Sequence, residues 1–144
     1  MFSKSCEYAL QSVLYIALNS KNGSAVGLKN IADSQKIPIH FLSKILQNLV
    51  KNKVLLSTKG PSGGFSLGKS PKSLKLMKIV ELTDGLDIFD RCGIGLKKCS
   101  DKTPCPIHFE YKLVKDKTKE ILNTKTIYEL CEDVKNGHSI VTFK

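Results

Sequence analysis

Apolar residues near the start of the chain recur every three or four positions, which is the spacing of one face of an α-helix. Between positions 3 and 20 these residues are Cys6, Ala9, Leu10, Val13, Leu14, Ala17 and Leu18. Asn22 and Gly23 follow and predict the end of the helix. Cys6 lies on the apolar face, so its thiol is expected to be buried, whereas Glu7 lies off that face.

Two helices in close succession are predicted next. Residues 28–34 form a short one, and Pro38, whose fixed φ suits a first helical turn, begins another that extends to Lys51. One face of this second helix is apolar, and the other has side chains that form hydrogen bonds: His40, Ser43, Lys44, Gln47, Asn48 and Lys51. A helix-turn-helix presents its second helix to the major groove of DNA in this way.

A glycine-rich turn between two short apolar segments predicts a β-hairpin. Residues 54–58 form the first strand, residues 65–67 the return strand, and the turn between them reads KGPSGG. A helix-turn-helix followed by such a hairpin is a winged helix. The turn is not a phosphate loop, because G-x-x-x-x-G-K-S/T is absent.

Three more helices are predicted after the wing. Residues 76–83 form one that Gly85 stops, and the last helix begins at the capping-box spacing of Thr126 and Glu129 and extends through Val134. A longer helix follows His108 and has an apolar stripe of Ile107, Tyr111, Val114, Thr118 and Ile121. In a chain this small the stripe has no other obvious partner, so pairing with a second subunit is expected.

Composition adds a charge argument to this pattern. The 144 residues carry a formal net charge of +10, and a basic surface attracts polyanions such as nucleic acid. Arg91 is the single arginine, so base reading would depend on lysine and neutral polar side chains. No stretch has the roughly 18 apolar residues of a membrane span, and the N-terminus lacks the order of a signal peptide, so no membrane partner and a cytoplasmic location are expected.

The segment between the wing and the long helix contains three of the five cysteines. Cys92, Cys99 and Cys105 have the spacing C-x6-C-x5-C, and His108 follows after two more residues. Glycines and prolines keep most of the segment out of regular helix, and such a loop can wrap a metal cluster. The wide spacing favours an iron-sulfur cluster over zinc, whose sites usually pair cysteines two to four residues apart. Redox chemistry of free thiols is the alternative.

These segments together resemble the IscR/NsrR/CymR family of winged-helix transcriptional regulators over nearly the whole chain. The matching stretches are EYALQSVLYIA, IADSQKIPIHFLSKILQNLVKNKVL, TKGPSGGFSLGK and the three-cysteine loop. The resemblance implies a mainly α fold with a small β-hairpin. It divides the chain into a winged helix-turn-helix DNA-binding domain (1–85), a cysteine-rich cluster-binding loop (86–108), and a dimerisation helix with a C-terminal helix (109–144).

The resemblance also implies a cofactor. In IscR-like members three loop cysteines and a histidine two residues beyond hold a 2Fe-2S cluster, and the matching positions are Cys92, Cys99, Cys105 and His108. The loop of this chain has six residues between its first two cysteines, one more than in IscR. In NsrR-like members a 4Fe-4S cluster takes its fourth ligand from an acidic residue of the partner subunit, a position that Glu7 matches. The expectation is therefore 2Fe-2S before 4Fe-4S, with zinc the lesser alternative.

The implied function is regulation of transcription by a homodimer that acts as a repressor and binds a palindromic site in double-stranded DNA. Through the cluster it is expected to sense redox, nitric oxide or iron-sulfur status. The residues expected to contact DNA lie in the recognition helix and the wing: His40, Ser43, Lys44, Gln47, Lys59, Gly60, Ser62 and Gly63. Two alternatives stay open, a cluster-free thiol regulator on the same fold and a protein-binding module with structural zinc. No catalytic dyad or nucleotide fingerprint is found, so an enzyme is not expected.

Overall fold

The computed structural model describes residues 1–143 and contains six α-helices and a two-stranded antiparallel sheet. The elements in chain order are α1 (Lys4–Asn19), α2 (Leu28–Gln35), α3 (Ile39–Lys51), β1 (Leu55–Thr58), β2 (Gly64–Leu67), α4 (Leu76–Asp84), α5 (His108–Thr124) and α6 (Ile127–Lys135). Single 3-10 turns occur at Lys21–Gly23 and Asp87–Phe89. Within residues 1–143 no helix combines the length and the apolar character that crossing a membrane requires. The predicted fold class, mainly α with one hairpin, is confirmed.

Helix α1 forms the centre of the core. Its first turn is capped by Ser3, whose hydroxyl accepts a hydrogen bond from the Cys6 backbone N–H at 3.1 Å. The residues Cys6, Ala9, Val13 and Ile16 are fully buried along one face. Ser12 is buried beside them, although it is polar, because its hydroxyl bonds the side-chain oxygen of Gln35 at 3.3 Å.

The helix-turn-helix consists of α2 and α3. Lys36 ends α2 in the left-handed conformation (φ 53°), and the Ile37 N–H then bonds the Ala32 carbonyl at 3.0 Å, which turns the chain into α3. Helix α3 buries Leu42, Ile45, Leu46 and Leu49. Phe41 of the same helix is 40% exposed, and its ring packs edge-on against Tyr8 of α1.

The wing pairs β1 with β2 in the register that sets Leu55 opposite Leu67 and Thr58 opposite Gly64. An additional bridge, absent from the sequence-based prediction, joins Phe65 to Val26 through two backbone hydrogen bonds of 2.8 Å. Gly64 adopts φ 145°, and a Cβ there would clash with the Val26 carbonyl. The bridge therefore needs glycine at this position and fastens the wing to the helical core.

The C-terminal helix packs into the same core as α1. Ile127 and Cys131 of α6 are buried there, and the Ile127 N–H bonds the Leu74 carbonyl at 2.9 Å. The predicted capping box at Thr126 and Glu129 is present. The division of the chain at residues 85 and 108 stays a prediction, and α6 shares a core with the first of its three parts.

Helix α5 has an unusual distribution of polar and apolar residues. His108, Lys115 and Leu122 are buried, whereas the exposed side includes Phe109, Leu113, Val114 and Ile121. The C-terminal end of α5 packs in a second apolar cluster, in which Leu122 contacts Cys6, Val80, Ile88 and Phe89. Of the predicted apolar stripe, Ile107, Val114 and Ile121 are therefore exposed within a single chain, whereas Tyr111 and Thr118 are half-buried. The buried Lys115 faces the loop that precedes α5.

Candidate functional site

The cysteine loop starts from a firmly packed turn. Ile88 and Phe89 are buried in the second apolar cluster, and Arg91 bonds the Asp87 carboxylate at 3.0 Å. Cys92 follows at once and is 8% exposed. The first ligand candidate is therefore attached to the winged-helix core rather than to a free segment.

The backbone after Cys92 surrounds its sulfur. The Gly95 N–H bonds the Cys92 carbonyl at 3.0 Å, and Gly95 takes φ 81° to close this turn. Backbone N–H groups of Ile94 and Leu96 donate hydrogen bonds to the sulfur and hold the pKa of the Cys92 thiol below its ordinary value. Because these bonds favour the thiolate, they prepare Cys92 to bind a metal.

The four predicted donors are arranged as two pairs. The Cys92 and Cys105 sulfur atoms are 3.6 Å apart, and the Cys99 sulfur is 3.2 Å from Nδ1 of His108. Two ligands of one tetrahedral ion with metal–sulfur bonds of about 2.3 Å lie about 3.8 Å apart, and a sulfur–nitrogen pair lies slightly closer. Each pair therefore fits two sites of one metal. Within residues 1–143 no three His, Cys, Asp or Glu side chains are arranged around a single ion.

The ring of His108 is held in a defined orientation. Its side chain is 3% exposed, and Nε2 lies 2.7 Å from the Asp101 carboxylate, which also bonds Lys112 at 2.8 Å. These hydrogen bonds from Lys112 and His108 lower the pKa of Asp101. A carboxylate on one ring nitrogen fixes the other toward a metal, as in many metal sites. Nδ1, beside Cys99, is thus the nitrogen available as a ligand.

Lys115 is a residue of this site that the sequence analysis missed. It is 5% exposed, and its Nζ donates to the Arg91 carbonyl at 3.0 Å and lies 3.5 Å from the Cys99 sulfur. The cations that are near the cysteines in sequence have other surroundings, because Arg91 pairs with Asp87 and the side chains of Lys97, Lys98 and Lys102 are exposed. Lys115 follows His108 by seven residues, so helical spacing on one face was the available signal.

Tyr111 completes the contact between α5 and the loop. Its ring lies against Gly93, where a Cβ would approach ring carbon atoms within 2.7 Å. A cavity of about 480 Å³ is lined in part by Cys99 and His108. The half-buried Cys99 borders this cavity, whereas the His108 side chain is almost fully buried.

The remaining two cysteines and Glu7, the alternative fourth ligand, lie outside the loop. Cys6 and Cys131 are buried in the apolar core, and burial raises the pKa of each thiol. Glu7 pairs with Lys4 at 2.9 Å on the surface of α1. Its placement near the loop of a partner subunit stays a prediction.

The candidate DNA-contacting residues of α3 share one side of the helix. His40, Lys44 and Gln47 are exposed and Ser43 is half-buried. The Gln47 amide donates to the Ser43 hydroxyl at 3.3 Å. The His40 imidazole and the Lys44 ammonium group are therefore exposed and can contact a ligand that lies against this side of α3.

The wing tip exposes Lys59, Gly60 and Ser62, whereas Gly63 has a role in the turn itself. The Gly63 N–H bonds the Gly60 carbonyl at 2.9 Å, and a Cβ at position 63 would clash with the Thr58 carbonyl oxygen. Only glycine fits this position, whether or not DNA is bound. The DNA contacts of all eight residues named for α3 and the wing stay predictions.

Known proteins match the chain over most of its length. The model of the Rrf2 family, described as an iron-dependent transcriptional regulator, matches residues 2–133. An inferred HTH-type transcriptional regulator of Aquifex aeolicus is 35% identical over 132 residues, 90% of each chain. IscR of Pectobacterium carotovorum is 31% identical over 123 residues, which are 85% of this chain and 74% of that protein. The structure of CymR, the global cysteine regulator of B. subtilis, has a TM-score of 0.75 at 21% identity and covers 92% of this chain and 96% of its own, a likeness of fold.

Proposed function

The chain belongs to the Rrf2 family of transcriptional regulators, and we propose that it is a repressor whose DNA binding depends on an iron-sulfur cluster held by Cys92, Cys99, Cys105 and His108. Its relatives regulate transcription and are not enzymes. The observation that supports the cluster is the grouping of the four donors into two pairs, at 3.6 Å and 3.2 Å.

The paired donors favour a 2Fe-2S cluster over the other possibilities. In such a cluster each of the two irons takes two protein ligands, so one pair serves each iron. A 4Fe-4S cluster would take Glu7 of the partner as a ligand and leave His108, which Asp101 already orients at 2.7 Å, without a role. A structural zinc ion would need all four donors around one centre. When bound, the cluster supplies a group that gains or loses an electron and that oxygen or nitric oxide can destroy.

The position of the donors links the cluster to the geometry of the whole chain. Cys92 follows the turn that packs against α1 and α4, and His108 is the first residue of α5. Ligands at both ends of the loop therefore hold α5 in one orientation relative to the winged-helix core. Loss of the cluster would release this restraint, and the loop would then be held to α5 by the contacts of Lys115 and Tyr111 and by the bonds of Asp101 to His108 and Lys112.

In a dimer that pairs through α5, the orientation of α5 would set the separation of the two DNA-binding helices. The exposed apolar side of α5, with Phe109, Leu113, Val114 and Ile121, is proposed to pair with its counterpart in a second copy. Two α3 helices about 34 Å apart can bind successive major grooves of a palindromic site. A small rotation of α5 would alter their separation, and one half-site would be lost. The protein would act in the cytoplasm, where its DNA lies.

A cluster-free thiol regulator is the second candidate. The Cys92 and Cys105 sulfur atoms lie 3.6 Å apart, and a disulfide needs them at about 2.05 Å, which a small movement of the loop provides. An oxidant would then remove two electrons and two protons from the pair. This alternative predicts a response to oxidants in protein that contains no iron.

Metal analysis separates these functions. Protein purified without oxygen should contain about two irons and two acid-labile sulfides per chain and show visible absorption. Replacing Cys99 by Ser should abolish both, whereas replacing Cys131, which is buried in the core outside the loop, should leave both unchanged. Zinc alone, or no metal in protein whose response survives, would contradict the cluster.

A further inference from the structure

We propose that Lys115 is a positioning residue for the cluster: its buried ammonium group clamps the cysteine loop and, through its charge beside the Cys99 sulfur, raises the reduction potential of the cluster. The inference rests on the proposed cluster and concerns a residue outside its ligand set. It explains why the fold buries the charged side chain of Lys115, which is energetically unfavourable without a partner.

The burial of Lys115 requires an explanation. Lysine is almost never fully buried unless it is paired, yet this side chain is 5% exposed. Among the ion pairs of residues 1–143 none includes Lys115. Its partners are the Arg91 carbonyl at 3.0 Å, the Cys99 sulfur at 3.5 Å and the Tyr111 ring, whose centroid is 5.6 Å from Nζ. Of these partners, the Cys99 sulfur is the one that would carry negative charge as a ligand of the cluster.

The other lysines on this side of α5 have different partners. Lys112 bonds the Asp101 carboxylate at 2.8 Å and is 44% exposed. Lys119 lies over the ring of Phe89, 5.4 Å from the centroid. Lys115 is thus the lysine of the inner face whose ammonium group is directed to a ligand sulfur.

The two contacts of Nζ also join two parts of the loop. Arg91 directly precedes Cys92, and Cys99 is the next ligand along the chain. Because a single ammonium group bonds both segments, it holds ligands from both donor pairs against α5. Loss of this clamp should allow the loop to open and the cluster to leave faster.

The charge of Lys115 should also change the electron affinity of the cluster. Three thiolate ligands give the cluster a negative charge, and one-electron reduction increases it. A cation hydrogen-bonded to a ligand sulfur stabilises the more negative, reduced form more strongly, and net charge and hydrogen bonds to sulfur set such potentials. Lys115 therefore makes the cluster easier to reduce.

The test compares four variants of the full-length protein with wild type, all loaded with cluster without oxygen. Lys115→Met keeps the aliphatic stem and removes the charge, Lys115→Gln keeps a neutral donor, and Lys115→Arg restores a cation. Lys117→Met is the matched control, because Lys117 lies on the same helix, is 67% exposed and pairs with Glu120. The readouts are the midpoint potential, from an optical redox titration, and the rate of cluster loss to an iron chelator.

The expected result is a lower potential for Lys115→Met and Lys115→Gln, and about tenfold faster cluster loss for Lys115→Met. Lys115→Arg should have a potential close to that of wild type, and Lys117→Met should match wild type in both readouts. If Lys115→Met does not fold, the potential of Lys115→Gln decides.

Two outcomes would overturn the inference, and they differ in what else they affect. Wild-type protein that takes up no iron and sulfide would contradict the proposed function, and the role of Lys115 with it. Wild-type protein that holds a cluster whose potential and stability are the same in the Lys115 variants and in Lys117→Met would contradict only the role of Lys115.

Discussion

The surroundings of the cysteines differ between the loop and the apolar core. Cys92 receives backbone hydrogen bonds that lower the pKa of its thiol, and Cys99 faces an ammonium group at 3.5 Å. Cys6 and Cys131 lie among apolar side chains, and burial raises the pKa of both thiols. Because the thiolate is the reactive and metal-binding form, these surroundings favour metal binding at Cys92 and disfavour it at Cys6 and Cys131.

Alkylation kinetics should reveal this difference. In cluster-free, reduced protein a neutral alkylating reagent should modify the loop thiols, Cys92, Cys99 and Cys105, at least tenfold faster than Cys6 and Cys131. Mass spectrometry of peptides at successive times gives the rate for each site. Loading the cluster should protect the loop thiols without changing the slow sites. Fast modification of Cys6 in folded protein would contradict the assignment of that thiol to the core.

At the scale of elements, α5 shows what sequence periodicity could and could not predict. Its apolar stripe was visible in the sequence, and the exposure of Val114 and Ile121 agrees with the expectation that this side of α5 pairs with a second subunit. Its inner face was not foreseen, because a lysine in an amphipathic helix is normally placed in solvent. The folded structure shows that the cysteine loop packs against Lys115 and buries it.

The exposed stripe of α5 should control association. Ile121→Glu should weaken the dimer at least tenfold, because a carboxylate would be buried without a partner in the paired helices. Asn123→Glu adds the same charge at an exposed position on another side of α5 and should leave association unchanged. Sedimentation equilibrium of both variants measures the effect. Equal dissociation constants would remove α5 from the interface.

The capping box of α6 should make stability depend on pH. The Thr126 backbone N–H and hydroxyl lower the pKa of Glu129 below its unfolded value, so its contribution is present above the unfolded pKa and is lost as the pH falls through the folded pKa. Glu129→Gln should therefore destabilise the protein near neutral pH and converge with wild type in acid. Urea unfolding across this pH range measures the difference, and a difference that is independent of pH would contradict the assigned cause.

The Thr126 hydroxyl should contribute even where Glu129 is protonated. It accepts the Glu129 N–H at 3.2 Å, so Thr126→Ala should cost about 1 kcal/mol of unfolding free energy in acid, and more near neutral pH, where the hydroxyl also donates to the ionised carboxylate at 3.1 Å. Tyr128→Ala is not a suitable control, because Lys72 lies over its ring at 4.9 Å. Thr124→Ala, at the exposed end of α5, is a better comparison.

For the whole molecule, the sequence predicted the individual elements more completely than the contacts between distant elements. The wing, the helix-turn-helix and the spacing of Cys92, Cys99 and Cys105 each depend on local residues, so local patterns were sufficient. The bridge from Val26 to Phe65 and the packing of α6 on α1 join distant segments through single residues or partly buried faces. No periodic signal marks such contacts, and only the folded chain shows them.

The basic charge of the chain should act on DNA through particular lysines. Lys59→Ala at the wing tip should weaken binding to all sequences and reduce the slope of log affinity against log salt by about one. Lys135→Ala, at the end of α6 and 3.8 Å from Glu132, removes the same charge away from the wing and should change the slope less. Fluorescence anisotropy at several salt concentrations gives both slopes. Equal slopes for the Lys59 variant and wild type would argue against a phosphate contact.

The cluster is proposed to control DNA binding, and DNA affinity measured with and without the cluster tests this coupling. DNA selected by the protein from a random pool supplies the probe, and affinity is measured at one salt concentration for the cluster-loaded protein and for the same preparation after the cluster is removed with a chelator without oxygen. The proposed coupling predicts at least a tenfold difference in affinity, together with loss of the difference in a Cys99→Ser variant. Equal affinities in the two states, with the dimer intact in both, would contradict it.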